Sequence, residues 1–219
     1  CAAISEADAA SALAVAKEAM ARGAECLEFR FDAMSTLPED LTPFQQLEVR
    51  KIATLRERDQ GGGWEGTEER KWEFLSRAAK AGFDIDLELG HPLVGRAHLL
   101  RPAKVIVSYH DHRMTPQVAK VIEVLVECAS RSDMAKAAFN VRTMHDLAQL
   151  VEAVHWFALS RERYTVIGMG ELGMVTRALA HRLGSALSYA SVRAGKETAP
   201  GQLDLETAKW LGKEPLVTG

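Results

Sequence analysis

Three cysteines in 219 residues, Cys1, Cys26 and Cys128, are too few and too far apart for a disulfide framework, and no pair of them has a metal-ligand spacing. Their odd number and small or apolar neighbours read as reduced thiols of a cytoplasmic protein. Long apolar runs are missing too: none approaches the ~18 residues that a membrane span needs. The opening CAAISEADAA has neither the basic start nor the apolar middle of a secretory signal. Charge of one sign is scarce, since 27 Lys and Arg are set against 30 Asp and Glu for a formal net charge of -3, and the cations are scattered. No basic stripe exists to release counterions from a polyphosphate, so neither nucleic acid nor membrane is an expected partner. Aromatic residues make up only 6%, and the four tryptophans read as packing or loop anchors rather than a stacking platform. No linker or low-complexity tract divides the chain, so residues 1–219 are expected to form one domain.

What the sequence does contain is alternation. Short β-like runs at 1–4, 26–32, 51–56, 83–89, 104–110, 134–140, 164–169 and 186–192 alternate with segments whose apolar residues recur at i, i+3, i+4 and i+7. Those segments are 9–22, 67–81, 116–129, 144–159 and 175–183. Strand and helix in turn are the mark of a parallel sheet, and eight strands in a chain of this length suggest closure. The expected fold is α/β, a single-domain (β/α)8 TIM barrel. Gly23 and Gly82 fall where helix C-caps belong, and Pro116 falls at a helix start, where its missing N–H costs nothing.

Side chains alternate along a strand, which puts Leu27, Phe29 and Phe31 on one face and Glu28, Arg30 and Asp32 on the other. The same split sets Ile85, Leu87 and Leu89 against Asp84, Asp86 and Glu88, and Lys136 against Ala135, Ala137 and Phe139. Thr54 shares a face with Arg56, and Ser108 with His110. A parallel sheet has both faces covered, so the apolar face must meet helices and the charged face must point into the barrel. An unpaired buried charge costs several kcal/mol, so Glu28, Arg30, Asp32, Arg56, Asp86, Glu88 and Lys136 should persist only as a paired network or a ligand site.

The stretch Gly168-Met169-Gly170-Glu171-Leu172-Gly173 matches G-x-G-x-x-G, a dinucleotide fingerprint. Its context argues otherwise. A fingerprint of that kind belongs to the first strand and needs an acidic residue at the end of the next one, whereas this one follows the seventh strand and 186–192 holds no Asp or Glu. The stretch instead supplies a tight turn into a helix carrying Arg177, which suits a carboxylate or phosphate.

Several motifs then coincide in order: Glu28-Phe29-Arg30-Phe31-Asp32, Thr54-Leu55-Arg56 with Gly61-Gly62, and Asp86-Leu87-Glu88. Next come Ser108-Tyr109-His110-Asp111 running to Thr115-Pro116, Asp133-Met134-Ala135-Lys136, Met169-Gly170 with Gly173 and Arg177, Gly184-Ser185-Ala186-Leu187, and Thr198-Ala199-Pro200-Gly201-Gln202. Together they resemble the type I 3-dehydroquinate dehydratases, the Schiff-base class of the shikimate pathway, from the first strand to about Leu211. The resemblance implies that Lys136 forms an imine with the C3 ketone of 3-dehydroquinate and that His110 moves the C2 proton and helps water leave from C1. It further implies that Arg177 grips the substrate carboxylate, that Glu28, Arg30 and Arg56 read the ring hydroxyls, that Thr198 and Gln202 close over the substrate, and that Met169 lines the ring. It also implies a homodimer and no cofactor. The chemistry is consistent: an iminium is an electron sink for an adjacent carbanion, and histidine titrates near neutrality.

One position departs from the pattern. Many members carry a Glu four residues after the third-strand Arg, and here that position is Gln60, leaving Asp59 or Glu65 as possible substitutes. His112, two residues past His110, could share a metal with it, but no third ligand spacing is evident, so no metal is expected. Two alternatives stay open: another lysine-dependent barrel lyase such as a class I aldolase, or a non-catalytic acid-binding barrel in which Lys136 is a counter-ion to Glu28 or Asp86. Residues alone reach only a barrel with a Lys/His site for a carboxylated, hydroxylated small molecule.

Overall fold

The computed structural model describes residues 1–213. Seven parallel strands pair in chain order, β1 (Ala2–Ile4), β2 (Cys26–Arg30), β3 (Arg50–Thr54), β4 (Asp84–Glu88), β5 (Val105–Asp111), β6 (Met134–Asn140) and β7 (Tyr164–Met169). The β-like runs from 134 and from 164 end where the sequence pattern ends them, while β2 stops at Arg30 because Phe31–Ala33 turn into a 3-10 helix.

The expected eighth strand is shortened to a closing segment. Residues 186–192 join both edges of the sheet: Ala186 donates its N–H to the Tyr164 carbonyl at 2.7 Å, and on the other side Cys1 donates to Ser188 at 2.7 Å, Ala190 to Cys1 at 2.9 Å and Ala3 to Ala190 at 3.0 Å. A parallel bridge pairs Ala2 with Ala190. Ser188 and Ser191 interrupt the apolar pattern there, and four backbone links close the curled sheet.

The helices are α1 (Ala9–Ala21), α2 (Thr42–Gln45), α3 (Glu68–Lys80), α4 (Val118–Ala129), α5 (Met144–Ala158), α6 (Met174–Ala178) and α7 (Leu205–Lys213). The helix expected over 175–183 is cut to α6, and the place after β4 is taken by a 3-10 segment, Pro92–Leu100. Pro116 does not open α4: Gln117 is its N-cap, so the proline lies outside the helix. Gly23 and Gly82 follow the C-caps of α1 and α3 with φ of 82° and 83°, as glycine C′ residues should. A capping box, Thr143 with Asp146, starts α5.

The period-two split holds within the strands. Leu27, Phe29, Ala53, Ile85, Leu87, Val107, Ala135, Ala137 and Phe139 all face outward into the main core beneath the helices. Inward-facing residues form tiers. Cys26, Ile52, Ile106 and Met134 make an apolar floor at the N-terminal ends of the strands, and the charged residues stand above it. The barrel interior is therefore apolar at its base and polar toward the C-terminal rim.

Candidate active site

The charged tiers pair with one another in an alternating chain. Lys136 Nζ lies 2.8 Å from Glu28 Oε1 and 3.1 Å from Asp86 Oδ2. Asp86 accepts from Arg56 at 2.8 Å and from the Ser108 hydroxyl at 2.6 Å. Arg56 also reaches Glu88 at 3.3 Å, and Glu88 accepts from Lys71 at 2.9 Å. Arg30 is held by Asp32 through two bonds of 2.9 and 2.7 Å. Burial alone would raise the pKa of Asp86, but Arg56, Lys136 and the Ser108 hydroxyl hold it far below the ordinary carboxylate value. The network expected from buried charge is present, and it fixes the geometry around Lys136.

One pocket, at the C-terminal ends of the strands, is lined by Lys136, His110, Glu28, Arg30, Arg56, Arg177, Met169, Thr198 and Gln202, so all nine expected site residues meet there. Lys136 and His110 come from neighbouring strands: Ser108 pairs with Lys136 and His110 with Ala138, which sets the imidazole one inward position above the amine. His110 Nδ1 is buried with no hydrogen-bond partner. Burial, then Arg56 and Lys136, push its pKa well below 6.5, so the imidazole rests neutral.

Arg177 differs from every other cation in the pocket. It is 6% exposed, its Nε has no hydrogen-bond partner, and among the described residues no carboxylate pairs with it. Burial lowers its pKa to about 10, which leaves it charged at neutral pH. The glycine motif is what brings it there. Gly170 adopts φ of 84°, and a Cβ on Gly173 would come within 2.4 Å of the Gly168 carbonyl carbon, so the turn packs backbone on backbone and swings α6 over the pocket. Thr198 donates its N–H and its hydroxyl to Gln202 Oε1 at 2.7 and 3.1 Å, folding the loop over the rim beside it.

Comparison with known proteins agrees with this geometry. A family model described as type I 3-dehydroquinase matches residues 1–211. The chain belongs to the type I 3-dehydroquinase family. The 3-dehydroquinate dehydratase of Methanococcus vannielii is 35% identical over 205 residues, covering 90% of this chain and 91% of that protein. That of Methanocaldococcus jannaschii is 33% identical and covers 85% of each. In fold, the crystal structure of the Geobacillus kaustophilus 3-dehydroquinate dehydratase superposes with a TM-score of 0.90 at 21% identity, covering 96% of this chain and 88% of that one. The Aquifex aeolicus structure gives 0.80 at 25%, covering 93% and 94%.

Within the family pattern, Gln60 makes no hydrogen bond to the buried His110 Nδ1. Its side-chain oxygen accepts the His110 backbone N–H at 3.0 Å, and its carbonyl lies 3.1 Å from His112 Nε2. Glu65 cannot supply the missing charge, because it is exposed and paired with Arg58. One residue of the pocket and one of the charged network behind it escape sequence reasoning. Tyr189 lies under Lys136 with its ring centroid 4.3 Å from Nζ. Lys71, fully buried on α3, bonds Glu57 at 2.7 Å as well as Glu88. A parity count along 186–192 could have turned Tyr189 inward, whereas Lys71 sits in a run of charges that looks like a solvated helix face.

Proposed function

We propose that the chain dehydrates 3-dehydroquinate to 3-dehydroshikimate through a Schiff base on Lys136, as a carbon–oxygen hydro-lyase. The observation that carries this reading is the shared pocket of a buried lysine and a buried arginine that lacks an anion. Arg177 receives the substrate carboxylate, a charge-assisted contact that needs no rearrangement of the paired network. The Lys136 amine adds to the C3 ketone, and the ketone oxygen leaves as water. His110, neutral at rest, takes the C2 proton, and the electron pair moves into the iminium to give an enamine. The same histidine returns the proton to the C1 hydroxyl as that group departs as water, and hydrolysis frees the lysine. Glu28, Arg30 and Arg56 read the ring hydroxyls, Met169 packs on the ring, and Thr198 with Gln202 covers it.

A second reading has an observation in its favour, since Lys136 is ion-paired with both Glu28 and Asp86, the two carboxylates that a purely structural lysine would neutralise. One experiment separates the two: incubation with 3-dehydroquinate and sodium borohydride, followed by peptide mapping by mass spectrometry. A substrate-dependent adduct on Lys136 supports the Schiff base, and an unmodified Lys136 with turnover absent leaves the counter-ion reading. We further read the protein as a cytoplasmic homodimer acting on this one small molecule. No described helix is long and apolar enough to cross a membrane, and exposed Met144, Trp156 and Leu159 at α5 offer apolar surface for a second copy. Light scattering that returns the mass of a monomer would refute the dimer.

A further inference from the structure

Lys136 has three neighbours in the resting site, and they hold it by different means. Glu28 and Asp86 each accept one of its N–H groups, whereas Tyr189 offers a ring face 4.3 Å from Nζ. The Tyr189 side chain is 4% exposed and its hydroxyl has no hydrogen-bond partner, so the phenol is not anchored by its polar end. Burial, with Glu28 and Asp86 nearby, drives its pKa well above 10, so the ring stays neutral.

The Schiff-base step changes what those neighbours can do. An ammonium carries three N–H groups and one positive charge. When it condenses with a ketone, the new N–C bond forms and two of its hydrogens leave with the ketone oxygen as water. The iminium keeps the charge but only one N–H. Glu28 and Asp86 can no longer both receive a hydrogen bond, while a ring face attracts the charge itself and needs no hydrogen. We infer that the Tyr189 ring is the electrostatic partner that carries Lys136 from ammonium to iminium, and that its hydroxyl plays no part. This inference rests on the Schiff-base reading above.

The test keeps the shape of the ring and changes its electrons. Tyr189→Phe is compared with successively fluorinated phenylalanines at position 189, measuring the 3-dehydroquinate concentration that gives half-maximal borohydride trapping on Lys136, and its pH profile. Tyr189→Phe should trap like the parent protein, and fluorination should raise that concentration stepwise, by roughly two- to fivefold in total, because only the part of the contact that the iminium gains over the resting ammonium is read. Tyr189→Leu should lie at the weak end of the series. A flat fluorination series overturns the inference, and so does a loss of trapping in Tyr189→Phe, which would assign the role to the hydroxyl. If the parent protein itself forms no adduct, the Schiff-base reading fails and takes this one with it; if it traps normally and the series is flat, only this one fails.

Discussion

The pocket has two walls built on opposite terms. From β2 to β6 every inward charge has found a partner of the opposite sign, and the chain of pairs runs from Glu28 through Lys136, Asp86, Arg56 and Glu88 to Lys71. From β7 onward the wall is α6, an irregular eighth segment and a loop, and its one buried cation, Arg177, has no anion. The paired wall is satisfied without a ligand, and its carboxylates hold the lysine in the resting site. The unpaired wall is complete only when an anion arrives, because a buried guanidinium without a partner is costly. Affinity and rigidity are thus written on different strands.

That contrast can be broken by mutation, and the effects should fall in order. Lys136→Ala removes the nucleophile, so turnover and borohydride labelling should both drop to background; measurable residual turnover with labelling absent would sink the imine. For His110→Ala, the lysine should still label while kcat falls by roughly 10²- to 10⁴-fold, and a near-normal kcat would disqualify the imidazole as base. Asp86→Asn attacks the paired wall, leaving Arg56 and Lys136 short of a carboxylate, and should cost about 3–5 kcal/mol in a denaturant titration. Arg177→Met attacks the other wall and should behave differently. KM should rise by about ten- to a hundredfold, from a charge-assisted contact of about 1.5–3 kcal/mol, while stability holds or increases because a lone buried charge is gone. Equal stability losses in Asp86→Asn and Arg177→Met would erase the distinction between the walls.

Acidity sharpens the same comparison. Asp86 and His110 both have folded-state pKa values below their unfolded ones, so the folded chain binds fewer protons in each range. Their contributions are therefore full above the unfolded values and are lost as pH falls through the folded ones. For His110 the loss begins below about 6.5, and for Asp86 it begins below about 3.9 and continues to strong acid. His110→Ala should flatten the first limb of stability against pH and leave the second, and an unchanged profile would contradict the buried neutral imidazole.

Much of the paired wall was legible in the sequence, because strand parity is strict: Glu28, Thr54, Asp86, Ser108 and Lys136 had to share one side once Leu27, Ala53, Leu87 and Ala135 were committed to the other. The unpaired wall was less legible. Nothing local in 186–192 announces that it closes the barrel through a short ladder to one edge and a single link to the other, since that depends on where β7 and β1 come to rest. Helical spacing over 175–183 overstates α6, which ends at Ala178 ahead of the turn before Gly184. Lys71 was hidden for a related reason: its burial depends on Glu88, seventeen positions on, arriving from the sheet. Gln60 could be seen as a departure, but only coordinates reveal that it bonds the backbone N–H of His110 and not the ring Nδ1.

The apolar floor of Cys26, Ile52, Ile106 and Met134 makes the site a blind well. A molecule that enters from the C-terminal rim would leave by the same side, and water set free from it would have to pass the ring that lost it. Traffic is therefore single file.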